Sequence, residues 1–163
     1  MIKKNLLLTS IFLIFLIIPN FGNAGLRDEL PNLKTLSDYA IGERRVIKAY
    51  RYEARGKFKK ANKLYSQALD YFLLANEKNP ASSAIYFYLG FTSEKLKKIS
   101  DAEIYYFLGL EIDPGNSKIN NYLGQLYIKN NRIGEAKERL EILKNCNCEE
   151  FEELKTAIKQ GSS

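Results

Sequence analysis

The chain has 163 residues, of which 45% are hydrophobic and 27% are charged, as expected for one globular domain. Its net charge is +6, but basic residues are mixed with acidic ones along the sequence, whereas nucleic-acid-binding proteins usually gather basic charge on one face. It has no histidine, so it lacks the usual base for a serine or cysteine nucleophile and a common zinc ligand. We therefore expect a protein that is not an enzyme and binds no nucleic acid, metal or other cofactor.

Residues 1–24 have the three parts of an export signal. Lys3-Lys4 forms a positively charged start, an apolar run follows over residues 6–18, and Gly22-Asn23-Ala24 places small residues at a cleavage site. The apolar run is shorter than the ~20 residues that a membrane span needs. We predict export to the periplasm of a bacterial cell with cleavage before Gly25; an uncleaved membrane anchor is the alternative.

Apolar residues at helical spacing predict seven helices after a loosely ordered leader at residues 25–36. The helices are expected at residues 37–55, 58–78, 83–96, 101–112, 118–129, 134–144 and 149–159. Ser100 and Asp101 are candidate N-caps of the fourth helix. Residues 161–163 are expected to fray.

The same residue types return 34 positions apart through most of the chain. Adding 34 takes Leu89-Gly90 to Leu123-Gly124 and Ala102 to Ala136, and subtracting 34 takes Ala102 to Ala68. Each unit has two helices, and the recurring alanines and glycines allow the helices to approach closely where they meet. A period of this length indicates stacked helical repeats, which bury their apolar faces only against one another.

This pattern resembles the tetratricopeptide repeat. In that family the first helix carries an aromatic residue and Leu-Gly, and the second carries a small residue, a large residue and another small residue before a proline. The marks of the central repeat are Tyr86, Leu89-Gly90, Ala102, Tyr106, Gly109 and Pro114. The resemblance implies an all-α solenoid over residues 37–147, with repeats at about 37–80, 83–116 and 117–147 and a capping helix at 148–160.

The first repeat departs from the family pattern in length. Phe58 precedes the corresponding Ile99 by 41 residues, so seven extra residues lie between Phe58 and Pro80. Seven residues make about two helical turns, which lengthen a helix without rotating its apolar face much. We therefore predict one long second helix from about Phe58 to Lys78.

The tail CNCEEFEELKTAI resembles the end of small exported repeat proteins of alphaproteobacteria, in which two cysteines precede a Glu-Glu-aromatic sequence. Here only Asn147 separates Cys146 from Cys148, whereas the family spacing is wider. Two cysteines in an exported chain favour oxidation. A disulfide between them would either staple the turn before the capping helix or act as a redox-active pair.

Stacked repeats of this family form a concave groove that is lined by the first helix of each unit. By the resemblance, nine side chains would line a partner groove here: Val46, Tyr50, Glu53, Phe87, Phe91, Lys95, Asn121, Gln125 and Lys129. Tyr50 and Phe91 stand out because large aromatic residues anchor partner segments. The alternative is that both rings pack on neighbouring helices.

The resemblance implies an adaptor that holds an extended segment or a helix of another protein, and the predicted export signal would place that adaptor in cell-envelope assembly. The alternative is a structural envelope subunit that forms homodimers through the aromatic faces of the first repeat. The lysines at positions 57, 59, 60 and 63 could make a weak contact with an anionic membrane surface, although a solvated face is the interpretation that we favour for them.

Overall fold

The computed structural model describes residues 37–161. The predicted export signal at 1–24, the leader at 25–36 and the final residues 162–163 lie outside the described residues. Seven helices follow one another: α1 (Asp38–Glu53), α2 (Phe58–Lys78), α3 (Ser83–Lys95), α4 (Ile99–Ile112), α5 (Ser117–Lys129), α6 (Ile133–Leu143) and α7 (Glu149–Gly161). No helix within this range is long and apolar enough to cross a membrane.

The first helix of each pair begins at a side-chain cap. The hydroxyl of Ser37 accepts a hydrogen bond from the amide of Ala40 at 3.2 Å, and the side chain of Asn116 accepts one from Ile119 at 3.0 Å. Ser82 caps α3 in the same way. These caps satisfy backbone donors that have no partner within the helix.

The second helices follow tight corners instead. Gly56, Lys97 and Asn131 have positive φ angles of 68°, 61° and 60°, which reverse the chain direction between the two helices of each pair. The prediction that Ser100 and Asp101 cap α4 is wrong. The helix begins at Ile99, directly after this corner, so both residues lie in its first turn.

Small residues allow the helices of a pair to pack closely. A Cβ atom on Gly90 of α3 would lie 2.5 Å from the ring of Tyr106 on α4, and one on Gly42 of α1 would lie 2.7 Å from the ring of Phe72 on α2. The predicted 21-residue span of α2 is observed, whereas α1 has 16 residues. The first and second repeats thus each have one contact of an aromatic ring with a glycine.

The last helix, α7, packs on α5 and α6 and closes the stack. Leu154 is fully buried, and a Cβ atom on Gly124 of α5 would lie 2.6 Å from its side chain. Gly161, which the sequence interpretation assigned to a frayed tail, belongs to α7. Gly161 faces Ile128, whose Cγ2 would lie 2.5 Å from a Cβ atom added to the glycine. The observed α7 therefore ends one residue after the predicted capping helix, which ended at residue 160.

Candidate functional site

An open groove runs between the C-terminal halves of α1, α3 and α5 on one side and α7 on the other. Its volume is about 1050 Å³. Tyr50, Phe91 and Tyr122 contribute aromatic surface, and Lys97 and Glu152 bring opposite charges to its rim. The groove exists because the first helices stack in register, while the capping helix continues the same layer and supplies a wall.

The aromatic floor of the groove is built by contacts between repeats. The rings of Tyr50 and Phe91 stack at 5.7 Å, and Tyr122 meets Phe91 edge-on at 5.7 Å. Phe91 is 3% exposed, whereas Tyr50 keeps 43% of its surface accessible. Phe91 is therefore part of the core, and Tyr50 and the half-buried Tyr122 offer the accessible ring surface.

Polar side chains link successive repeats below the rim. Glu53 of α1 accepts a hydrogen bond from the hydroxyl of Tyr65 at 2.7 Å, and it forms an ion pair with Lys95 at 3.0 Å. The next repeat has the same arrangement: Glu94 of α3 accepts from Tyr106 at 3.2 Å and from Lys129 at 2.6 Å. Each glutamate thus fixes the first helix of the following repeat.

These contacts shift the pKa values of the carboxyl and hydroxyl groups that make them. Burial works against ionisation of Glu53, but the hydrogen bonds from Tyr65 and Lys95 outweigh it and lower the pKa of the carboxyl group. Burial, together with hydrogen bonding to Glu53, raises the pKa of the Tyr65 hydroxyl. The tyrosine therefore stays a neutral donor, and the glutamate stays a charged acceptor at neutral pH.

Replacing Glu53 by glutamine should lower the free energy of unfolding by about 1 kcal/mol near neutral pH, because a charge-assisted link between repeats is lost. The folded-state pKa of Glu53 is below its ordinary value of 4.5, so its stabilising contribution is present above that value and is lost as the pH falls through the folded value. Urea unfolding of both proteins at several pH values should show the difference shrinking in acid.

Glu111 provides a matched control for this experiment because its side chain is exposed on α4 and makes no ion pair within residues 37–161. Glu111→Gln should leave stability within about 0.5 kcal/mol of the wild-type value. An equal, pH-independent loss for both variants would show that the Glu53 link does not stabilise the stack.

In the third repeat the capping helix occupies a predicted groove position. Asn121 is buried, and its side-chain amide donates a hydrogen bond to Glu153 of α7 at 2.6 Å. Gln125 donates to Asn121 at 3.0 Å. Asn121 therefore anchors α7, and the half-buried Gln125 beside it lines the groove.

The structure brings together five of the nine side chains that the sequence placed in a groove: Tyr50, Phe91, Lys95, Gln125 and Lys129. Val46, Phe87 and Asn121 do not line this groove, because all three are buried, Asn121 against α7. Glu53 is engaged by Tyr65 and Lys95 and does not line the groove.

Sequence reasoning missed Tyr122 and the whole wall that α7 provides. That wall includes Glu149, Glu152, Glu153 and Thr156. The acidic start of α7 was visible in the sequence, but a capping helix was expected only to cover the last repeat. A helix that continues a stack also continues its concave face, and this rule could have identified the wall.

Cys146 and Cys148 are joined by a disulfide in the turn between α6 and α7, with their Cα atoms 5.2 Å apart. They border a second concavity of about 660 Å³ at the other end of the first helices, near Tyr88 and Lys118. In the part of the chain from 37 to 161, no group of three Cys, Asp or Glu residues could hold a metal ion. Neither cysteine lines the larger groove, so the disulfide lies outside it.

The sequence model of the tetratricopeptide repeat matches residues 105–138, from within α4 to within α6. The fold is similar to the TPR2B domain of yeast Sti1 in its complex with pHsp70, with a TM-score of 0.53, 16% identity and coverage of 76% of this chain and 97% of that one. It is also similar to the second TPR domain of human RPAP3 in complex with the HSP70 peptide SGPTIEEVD (TM-score 0.50, 16% identity, 77% and 96% coverage). No curated protein sequence matches the chain significantly. The predicted all-α, TPR-like solenoid is confirmed.

Proposed function

We propose that this chain, which contains a tetratricopeptide repeat and has the fold of tetratricopeptide-repeat domains, is a protein-interaction module that holds a segment of another protein in its concave groove. The observation that carries this proposal is the open groove of about 1050 Å³ with accessible tyrosine rings on its floor. The similar domains of yeast Sti1 and human RPAP3 are in complexes with pHsp70 and an HSP70 peptide, which supports binding of a peptide segment.

The groove offers three kinds of contact to such a segment. Tyr50 and Tyr122 provide ring surface for an apolar side chain, and Gln125 provides an amide. Lys97 makes no ion pair within residues 37–161, so it is available to a carboxylate of the partner. Lys95 and Lys129 already form ion pairs with Glu53 and Glu94, so they are less available to a partner carboxylate than Lys97.

The cellular setting of the module is part of the same proposal. The signal-like residues 1–24 and the CNCEE tail favour an exported adaptor that works in the periplasm, in cell-envelope assembly. Proteins from an envelope extract are therefore the appropriate pool in which to look for the partner.

Replacing Tyr50 by serine should weaken partner capture about tenfold, because an exposed aromatic ring in the floor of a groove is a typical binding hot spot. The chain from Gly25 would be immobilised and a captured envelope protein identified by mass spectrometry, followed by titration with the purified partner. Phe107→Ser is the matched control: Phe107 of α4 is also 43% exposed but lies outside the groove, so its loss should leave affinity unchanged.

A photoreactive residue at Thr156, on the α7 wall, would locate the bound segment independently. Cross-linking of the partner from position 156 but not from position 107 is the expected result. Cross-linking only from position 107, or equal weakening by both serine variants, would remove the partner from the groove.

Self-association is the alternative, and the same cross-linking would detect it as a product of two copies. The aromatic residues of the first repeat were expected to mediate it. Phe72 stacks on Tyr88 at 4.7 Å, and Tyr65 meets Phe91 at 6.1 Å, so these rings already serve the contact between repeats. Tyr50 and Phe58 are the exposed rings of the first repeat, at 43% and 62%, and of these two Tyr50 lines the groove.

A further inference from the structure

The outer face of α1 carries a stripe of basic side chains. Arg44, Lys48 and Arg51 recur at helical spacing on α1, and together with Arg55 of the following turn they line one shallow concavity of about 530 Å³ with Ile47 and Tyr52. All four basic residues are exposed. The stripe is therefore a continuous positive surface and not a set of scattered charges.

None of the four has an ion pair or a side-chain hydrogen bond within residues 37–161. The three acidic residues of α1 are engaged elsewhere. Asp38 pairs with Lys78 at 2.5 Å, Glu43 accepts a hydrogen bond from Tyr88 at 3.0 Å, and Glu53 binds Tyr65 and Lys95. The positive charge of the stripe is thus left uncompensated on its own helix.

One exposed apolar side chain lies inside this basic surface, and a second follows it closely in the chain. Ile47 is 52% exposed inside the stripe, and Phe58 is 62% exposed where α2 begins, three residues after Arg55. Lys57, Lys59, Lys60 and Lys63 surround Phe58 in the sequence, and the Lys60 ammonium lies 5.7 Å from the ring of Tyr52. The corner between α1 and α2 therefore joins the stripe to the lysine cluster.

We propose that this basic face of α1 and the start of α2 binds the anionic headgroups of a membrane surface, with Ile47 and Phe58 entering the interface. Basic side chains around exposed apolar residues match both parts of a bilayer surface, negative headgroups and the acyl boundary beneath them. A soluble anionic polymer would use the charges alone and would leave Ile47 and Phe58 in water.

Membrane binding at this face leaves the groove accessible. At about 100° of rotation per residue, the stripe lies on the side of α1 opposite the buried Val46 and away from Tyr50. The face is independent of the proposed groove function, and one module could hold a partner while attached to the membrane.

The test measures co-sedimentation with vesicles of phosphatidylcholine, with and without phosphatidylglycerol. The chain from Gly25 is suitable because it contains the described residues 37–161, which lie within one compact unit, and circular dichroism would verify the folding of each variant. Each basic residue near an anionic surface strengthens binding roughly fivefold, so the triple variant Arg44→Gln, Lys48→Gln, Arg51→Gln should lose about a hundredfold.

The control removes three exposed lysines from other elements: Lys98→Gln, Lys137→Gln, Lys144→Gln. It should retain binding within a few-fold, and added salt should weaken the wild type. Equal loss in both triple variants, or no preference for vesicles that contain phosphatidylglycerol, would overturn the proposal.

The absence of tryptophan in this chain permits a clean reporter of insertion. Phe58→Trp should show a blue-shifted emission with anionic vesicles and no shift with heparin. A protein that binds heparin but not vesicles would be a receptor for soluble anionic polymers. Association of two copies that the Arg44, Lys48, Arg51 variant abolishes, without vesicle binding, would assign the face to a dimer; either result would refute membrane binding.

Discussion

Tyr106→Ala is expected to lower the free energy of unfolding by about 3–5 kcal/mol, because it removes a large, fully buried side chain and leaves a cavity. The ring packs on the backbone of Gly90, and its hydroxyl donates a hydrogen bond to Glu94 at 3.2 Å. Urea unfolding followed by circular dichroism would measure the loss. Phe107→Ala is the control, since the neighbouring ring faces outward and its removal should cost less than about 1 kcal/mol.

The contact between Gly90 and Tyr106 also predicts a specific non-additivity. Gly90→Ala alone should destabilise the protein by about 1–3 kcal/mol, since the new methyl group would lie 2.5 Å from the tyrosine ring. In the Tyr106→Ala background the same methyl group has room, so the added cost should nearly disappear. Simple addition of the two losses would show that the close approach of α3 and α4 at this point is not what the glycine provides.

Leu154→Ala is expected to lower the free energy of unfolding by about 2–5 kcal/mol, because its buried side chain attaches α7 to the backbone of Gly124. Terminal repeats of a solenoid need a cap to cover their apolar face, and α7 supplies it here. Thermal and urea unfolding would measure the change. Thr156→Ala, an exposed position two residues later on the same helix, should change stability by less than about 0.5 kcal/mol.

The helices that lose protection from hydrogen exchange in Leu154→Ala can also be predicted. Hydrogen exchange in Leu154→Ala should increase first in α7 and α5, because each repeat contacts mainly its neighbours, while α1 and α2 should keep their protection. Because α7 forms one wall of the groove, cross-linking of a partner from position 156 should fall as well. A uniform increase over all seven helices would instead indicate that the stack unfolds as one unit.

Much of the fold could be predicted from the sequence because helix formation and repeat length are local properties. The span of α2 followed from the distance between Phe58 and Ile99, and the observed helix matches it at both ends. Ala102, Tyr106 and Gly90 were recognised by spacing alone, and all three are buried where α3 meets α4. The caps of α4 were misjudged because Ser100 is a favourable capping residue, whereas the corner at Lys97 determines where that helix begins.

The candidate site was less predictable, because exposure depends on how repeats stack and not on the spacing within one repeat. Tyr50 and Phe91 occupy equivalent-looking positions, yet the rings of Tyr50, Tyr65, Phe87 and Tyr122 bury Phe91 and leave Tyr50 open. Asn121 looked like a groove residue until α7 covered it.

The sequence by itself determined the seven helices, their pairing and the 34-residue repeat, since the spacing of apolar and small residues can be read from the sequence directly. Only the tertiary structure decided which groove residues are accessible and that α7 is a wall. It also decided that the basic residues of α1 form an uncompensated face, because Asp38, Glu43 and Glu53 find partners on α2 and α3. Those partners lie far away in sequence, so no local pattern could reveal them.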